Sequence, residues 1–292
     1  MITERSRAAV SASAELLARC ALDALRGVGG TAVVAAHLRA ADSEAAHREP
    51  SVVGEGGGDG GGDGGGDGGG ATATSSAAVA VGAVRVLGAD ALAPYVLTGR
   101  ALLPEESAAV RGSLSALPPV RRPPAAPPGG RERPWLRAWI DWGLVAVAAR
   151  LDPDPWCAAA PVPQGPPPGD DSAPRHRSAD GAASGGEGWV PWSLRMGQLA
   201  SLALPGLDGP VHQAARSGVL ALSRGATRAL LRRDFATAAR ITRWLAWLAA
   251  DGVALPLDVA LLAEDIALRG GDDRCLLDAA IARRLLGVEV AE

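Results

Sequence analysis

The chain has 292 residues, a formal net charge of −3 and 48% hydrophobic residues, enough for one ordinary domain or two small ones. All 29 basic residues are arginine and are balanced by 32 acids, which excludes the global basic excess expected of a nucleic-acid coat or a membrane-surface protein. Cys20, Cys157 and Cys275 are widely spaced with no CxxC pair, so neither a disulfide framework nor a zinc ribbon is expected.

The start, MITERSRAAV, is charged and lacks an apolar run, so no signal peptide is expected. Residues 8–26 read as a helix with Leu16, Leu17, Cys20 and Leu25 on a broad apolar face. Gly27, Gly29 and Gly30 stop it, and Thr31 is the expected cap of a second helix over 32–46. Residues 1–47 are therefore expected to form a helical hairpin. The tract GGGDGGGDGGGDGGG at 56–70 makes 48–75 a Gly/Asp linker: glycine maximises chain entropy and the aspartates keep it solvated. AVAVGAVRVL at 78–87 alternates partly and fits a short strand, but such a strand would have no partner. Short helices follow over 89–97 and 104–117, the second opened by Pro104 with Glu105 and Glu106, whose carboxylates face the positive helix end.

Residues 118–134 are a Pro/Arg-rich spacer. A helix over 134–150 places Trp135, Trp139 and Trp142 on one face, giving a Trp-rich segment at 135–151. Its apolar run WGLVAVAA is too short to span a bilayer, which takes about 20 residues. Residues 152–188 are a Pro/Gly-rich loop. Beyond it the periodicity predicts helices at 192–203, 210–232, 234–250, 257–269 and 273–286, with Pro256 opening the fourth and Asp272 capping the fifth. The expected class is all-α: a helical bundle or short α-solenoid interrupted by disordered Gly/Pro-rich loops.

At LDVALLAEDIALRGGDDRCLLDAAIARRLLG (257–287), Leu262, Ala263, Ile266, Gly270, Cys275 and Ala282 follow a large, small, large, turn, small, small pattern that resembles a tetratricopeptide-type helix pair. Ala279 and Gly287 depart from it, and the unit before, 219–250, matches only in its second helix through Ala238 and Leu245. The resemblance implies a helical-repeat-like region over 189–287 that binds other proteins on a concave face, with other helices completing the stack.

Chemistry-bearing motifs are few. His37, His47, His176 and His212 are scattered, and no H-E-x-x-H, G-x-S-x-G or P-loop occurs, so no catalytic residue is assigned. DDRCLLD at 272–278 is short of a magnesium motif, and capping accounts for its first aspartates; no metal ligand and no cofactor is expected. Charge is the clearest signal. Over 210–245 there are seven arginines against one acid, and over 251–292 nine acids against four arginines. Arg224, Arg228 and Arg232 recur every four residues and share one helical face, with Arg240 and Arg243 expected to stay wet on the next helix. The plain reading is that the basic and acidic helices neutralise one another. The functional reading is a contact for an acidic partner, because guanidinium forks suit carboxylates.

The expected function is that of a non-enzymatic, cytoplasmic interaction protein, an adaptor, scaffold or regulator, binding an acidic protein surface through Arg224, Arg228, Arg232, Arg240 and Arg243. Nucleic acid and membrane are not expected as partners, and the oligomeric state is left open. One alternative is a helix-turn-helix regulator using ALDALRGVGGTAVVAAHLRAA (21–41), although the first fifty residues carry no basic excess to contact phosphates. Another is a helical enzyme or small-molecule binder with a pocket among the tryptophans.

Overall fold

The computed structural model describes residues 4–48, 69–127, 129–152, 161–163, 165, 167 and 188–288. The Gly/Asp tract up to 68 and most of the 152–188 loop lie outside the described residues. Every regular element described is a helix.

Helix α1 (Glu4–Leu25) and α2 (Val33–Arg48) form the N-terminal pair. The buried face of α1 is Ala14, Leu17, Ala18, Ala21, Leu22 and Leu25, at three- and four-residue spacings. Leu16 and Cys20, expected on that face, point to solvent instead: the stripe is narrower than the run of apolar letters suggests. The start of α2 is closed from a distance rather than by Thr31. Glu106, on α5 (Pro104–Ala116), accepts the Val34 N–H at 2.8 Å and the Ala35 N–H at 2.9 Å, satisfying two of the free donors of a helix N-terminus. The Thr31 carbonyl accepts the Tyr95 hydroxyl at 2.6 Å.

Helix α3 (Gly69–Leu87) begins inside the stretch read as linker and contains the stretch whose alternation fitted a strand. Its small Ala and Val residues pack against both α1 and α2, so tertiary burial decides the helix. At Gly88, φ is +63° and a Cβ would meet Ile140 Cγ2 at 2.6 Å, so the chain turns there through a 3-10 segment (Gly88–Leu92) into α4 (Ala93–Thr98). The stretch Ser76–Thr98 is apolar and long enough to cross a membrane, yet 61% of its most apolar window is buried inside the fold. It also carries two buried ionic residues, Arg85 and Asp90, each paired with a charge from elsewhere.

Helix α6 (Glu132–Leu151) buries Trp135, Trp139 and Trp142 in edge-on contact, with ring centroids 6.5 and 5.4 Å apart. Its Asp141 pairs with Arg85 at 2.6 Å. Helix α7 (Trp189–Gln198) is followed by a 3-10 turn (Ala200–Leu202). The single helix expected over 210–232 is two, α8 (Pro210–Ser217) and α9 (Val219–Leu231). They part at Gly218, where a Cβ would lie 2.2 Å from the Trp192 ring: the indole occupies the space a continuous helix with a side chain would need.

Helix α10 (Phe235–Ala250) is capped by Asp234, which accepts the Thr237 N–H. Ala238, Ile241, Trp244, Leu245 and Leu248 are fully buried, and Phe235 is half-buried. Helix α11 (Val259–Arg269) starts after Asp258, whose carboxylate caps it, rather than at the exposed Pro256. Helix α12 (Asp273–Leu285) is capped by Asp272, as expected. Helix α10 lies at the centre of the C-terminal half and packs on α7, α9, α11 and α12, while α12 also packs on α1. One apolar core therefore runs from Leu17 to Ala282 through all the larger helices.

Candidate binding face

The arginines singled out by the charge pattern divide between two environments. Arg243 does not stay wet. Its side chain is fully buried, with Nη2 2.5 Å from Asp90 Oδ1 and Nη1 3.0 Å from Asp278 Oδ1. Arg274 of α12 engages the same two aspartates, Asp90 at 2.5 Å and Asp278 at 3.4 Å. Two guanidinium groups and two carboxylates thus neutralise one another inside the core. This is the arrangement buried charge requires, since an isolated ion in a low dielectric costs several kcal/mol. Arg240 is half-exposed and approaches Asp278 only to 4.0 Å, on the edge of the same cluster.

Arg224, Arg228 and Arg232 share the outer face of α9 and its C-terminus, and all three are exposed. The inner face, Ala221, Leu222, Gly225, Ala226 and Ala229, is buried against the neighbouring helices. Among the described residues none of the three outer arginines has a hydrogen bond or ion pair within 4.0 Å. Most of the described acids that could have neutralised them are engaged elsewhere. Asp251 and Asp208 hold Arg216, Asp265 holds Arg269, Asp278 lies in the buried cluster, and Asp234, Asp258 and Asp272 cap helices. Neutralisation between the basic and acidic helices therefore occurs in the core and at Arg216, and bypasses the α9 stripe.

Two hollows adjoin the stripe. One, of about 180 Å³, lies between α7, α9 and the start of α10 and is bordered by Leu194, Arg228, Arg232 and Thr237. The other, of about 420 Å³, is an open, mostly apolar groove bordered by Trp189, Arg224, Thr227, Leu231, Pro256 and Leu257, with Arg228 shared between the two. Leu231 is 82% exposed and, with Trp189, Pro256 and Leu257, makes an apolar patch beside the arginines. The arginine spacing pointed to this face, but the groove escapes sequence reading: Trp189, Leu231 and the Pro256–Leu257 pair come from three separate segments. The one local signal was Leu231 falling three residues after Arg228, on the charged face instead of the apolar one.

The other motifs take structural places. The second helix of the 21–41 motif exposes Ala36, Arg39, Ala40, Asp42, Ser43, Glu44, Ala46 and His47, a surface with one arginine and two carboxylates. Trp135, Trp139, Trp192 and Trp244 are buried in the core, and the Trp244 indole donates to the Met196 carbonyl at 2.7 Å. His212 is fully buried, 5.4 Å from the Trp244 ring and 5.1 Å from the Trp247 ring. Burial holds its imidazole below the ordinary range, and the Leu202 carbonyl, accepting from Nε2, opposes that. Burial, with Asp272 and Asp278 nearby, pushes the Cys275 thiol up to about 12, in keeping with a thiol packed in the core. Comparison of the chain with family models, curated proteins and solved structures finds no match.

Proposed function

We propose that the protein is a helical interaction protein that holds an acidic, partly apolar segment of another protein along α9. The observation that carries this reading is the placement of three exposed arginines, with no ion pair among the described residues, beside the apolar groove. Guanidinium groups one turn apart repel one another, and a row of carboxylates on a partner relieves that repulsion while forming charge-assisted hydrogen bonds. Apolar side chains of the same segment would enter between Trp189 and Leu231, where water gains little by staying. Arg240 and Arg243, part of the original set, are outside this contact.

A protein segment suits the face better than nucleic acid. Phosphate binding gains affinity by accumulating many contacts, whereas here two arginines, Arg224 and Arg228, border an apolar floor with a single aromatic ring. The packing of α9 on α10, of α11 on α12 and of α10 on α12 supports a repeat-like stack, in which the face of α9 is a natural docking surface. The test is to compare what the full chain retains from its host with what an Arg224→Glu, Arg228→Glu, Arg232→Glu variant retains. A protein held by the wild type at low salt and lost by the variant supports the reading, and equal retention by both removes it.

A further inference from the structure

A second cleft lies on the other side of the buried ionic cluster, between α1, α3, α7, α10 and α12. It encloses about 250 Å³ and is bordered by Ser11, Glu15, Val86, Gln198, Arg240 and Arg274. The charges around it are unevenly available. Arg274 is consumed by Asp90 and Asp278, and its backbone N–H is taken by Glu15 Oε2 at 3.0 Å. Arg240 is different: beyond the long 4.0 Å approach to Asp278, its guanidinium has no partner among the described residues, and its side chain is 39% exposed. Among the described residues, the second oxygen of Glu15 has no hydrogen bond. Arg240 and Glu15 thus border one cleft with opposite charges, yet come no nearer than 4.0 Å, so they do not neutralise each other directly.

We infer that this cleft binds a small zwitterion of the α-amino-acid class, its carboxylate on Arg240 and its ammonium on Glu15. Net charge distinguishes this from an anion site. Arg240, Arg243 and Arg274 are balanced by Glu15, Asp90 and Asp278, so a bare anion would add a charge the cluster does not need and would meet the Glu15 carboxylate. A ligand with both charges separated matches both available groups and leaves the balance unchanged. The Arg240 fork suits a carboxylate, and Gln198 and Ser11 supply neutral polar groups at the rim. The volume admits an amino acid and little more, being just below the range of common ligand pockets, about 300–1,000 Å³. The site shares no residue with the α9 groove, and it stands or falls separately from the proposed protein contact.

Isothermal titration of the full chain with each common amino acid, and with acetate, methylamine and phosphate as single-charge probes, tests the inference. Saturable binding of at least one amino acid is expected, with the single-charge probes at least about tenfold weaker. Arg240→Gln and Glu15→Gln should each weaken that binding by about tenfold or more. Because Glu15 also touches α12, a third variant, Val86→Trp, fills the cleft from a half-exposed position and should abolish binding with an unchanged melting temperature. No binding by any amino acid overturns the inference. So does binding of phosphate or acetate that improves in Glu15→Gln, which would mark an anion site, and so does amino-acid binding that survives both Arg240→Gln and Val86→Trp.

Discussion

Arg243 and Asp90 face each other at 2.5 Å with both side chains fully buried, tying the middle of α10 to the 3-10 turn that follows α3. Arg274 and Asp278 close the group from α12. The cluster joins three elements that are far apart in the chain, and its stability depends on completeness. Removing one member leaves a buried charge without compensation, a change that typically costs about 3–5 kcal/mol.

Arg243→Met is therefore expected to lower unfolding free energy by about 3–5 kcal/mol in urea titration, with Asp90 and Asp278 left against Arg274 alone. Replacing Arg243, Arg274, Asp90 and Asp278 together with apolar residues of similar volume should cost much less than the single change, since no ion of the cluster is then stranded. Equal losses in the single and quadruple variants would show that packing, and not charge, governs the site.

Glu106 gives a second expectation. Its two oxygens cap α2 from α5, and burial, opposed by those same N–H groups, raises its carboxyl above the ordinary range. Glu106→Ala leaves two buried donors unmet and should cost about 1–3 kcal/mol or more, with faster amide exchange at Val34 and Ala35. Unaltered exchange at those two amides would show that α2 holds its own start.

His212 governs part of the acid response. Its Nε2 donates to Leu202, while Nδ1 is buried with no partner among the described residues. Burial lowers its pKa first, with Arg216 adding to that; the Leu202 carbonyl, Asp208 and Asp251 oppose it. The unfolded chain therefore takes up a proton near 6.5 that the folded one resists. The stability it preserves is complete above that value and falls away as pH drops from there toward the lower folded-state pKa. His37, lowered by burial, adds in the same direction, whereas the raised Glu106 acts oppositely at lower pH. Urea midpoints measured from pH 7.5 down to 5.5 should decline in the wild type, and decline less in His212→Gln. Parallel declines would assign the acid sensitivity to other groups.

Much of the fold was legible because its helix boundaries are written in local chemistry. Pro104 opens α5, and Asp234 and Asp272 cap α10 and α12 where the sequence placed a helix start. What was misread depended on distant partners. The alternating Ala and Val of 78–87 satisfy strand and helix alike, and only packing between α1 and α2 decides. Gly218 breaks a helix because Trp192, from another element, fills its space. The arginine periodicity showed which residues share a face, but not that Arg243 would find Asp90 in the core. Of the five arginines, Arg243 is buried, Arg240 is half-exposed, and Arg224, Arg228 and Arg232 are exposed.

The central claim is that α9 carries a docking groove for an acidic segment. Its most direct test is a photo-crosslinking residue at Leu231, 82% exposed in the groove, with the same residue at Leu16, 61% exposed on α1, as the control. The account predicts that Leu231 captures a discrete protein segment rich in Asp and Glu with interspersed apolar residues. That capture should disappear in the Arg224→Glu, Arg228→Glu, Arg232→Glu variant and at about 1 M salt, where screening acts within about 3 Å. Capture at Leu231 no greater than at Leu16, or capture that survives reversal of all three arginines, would contradict it.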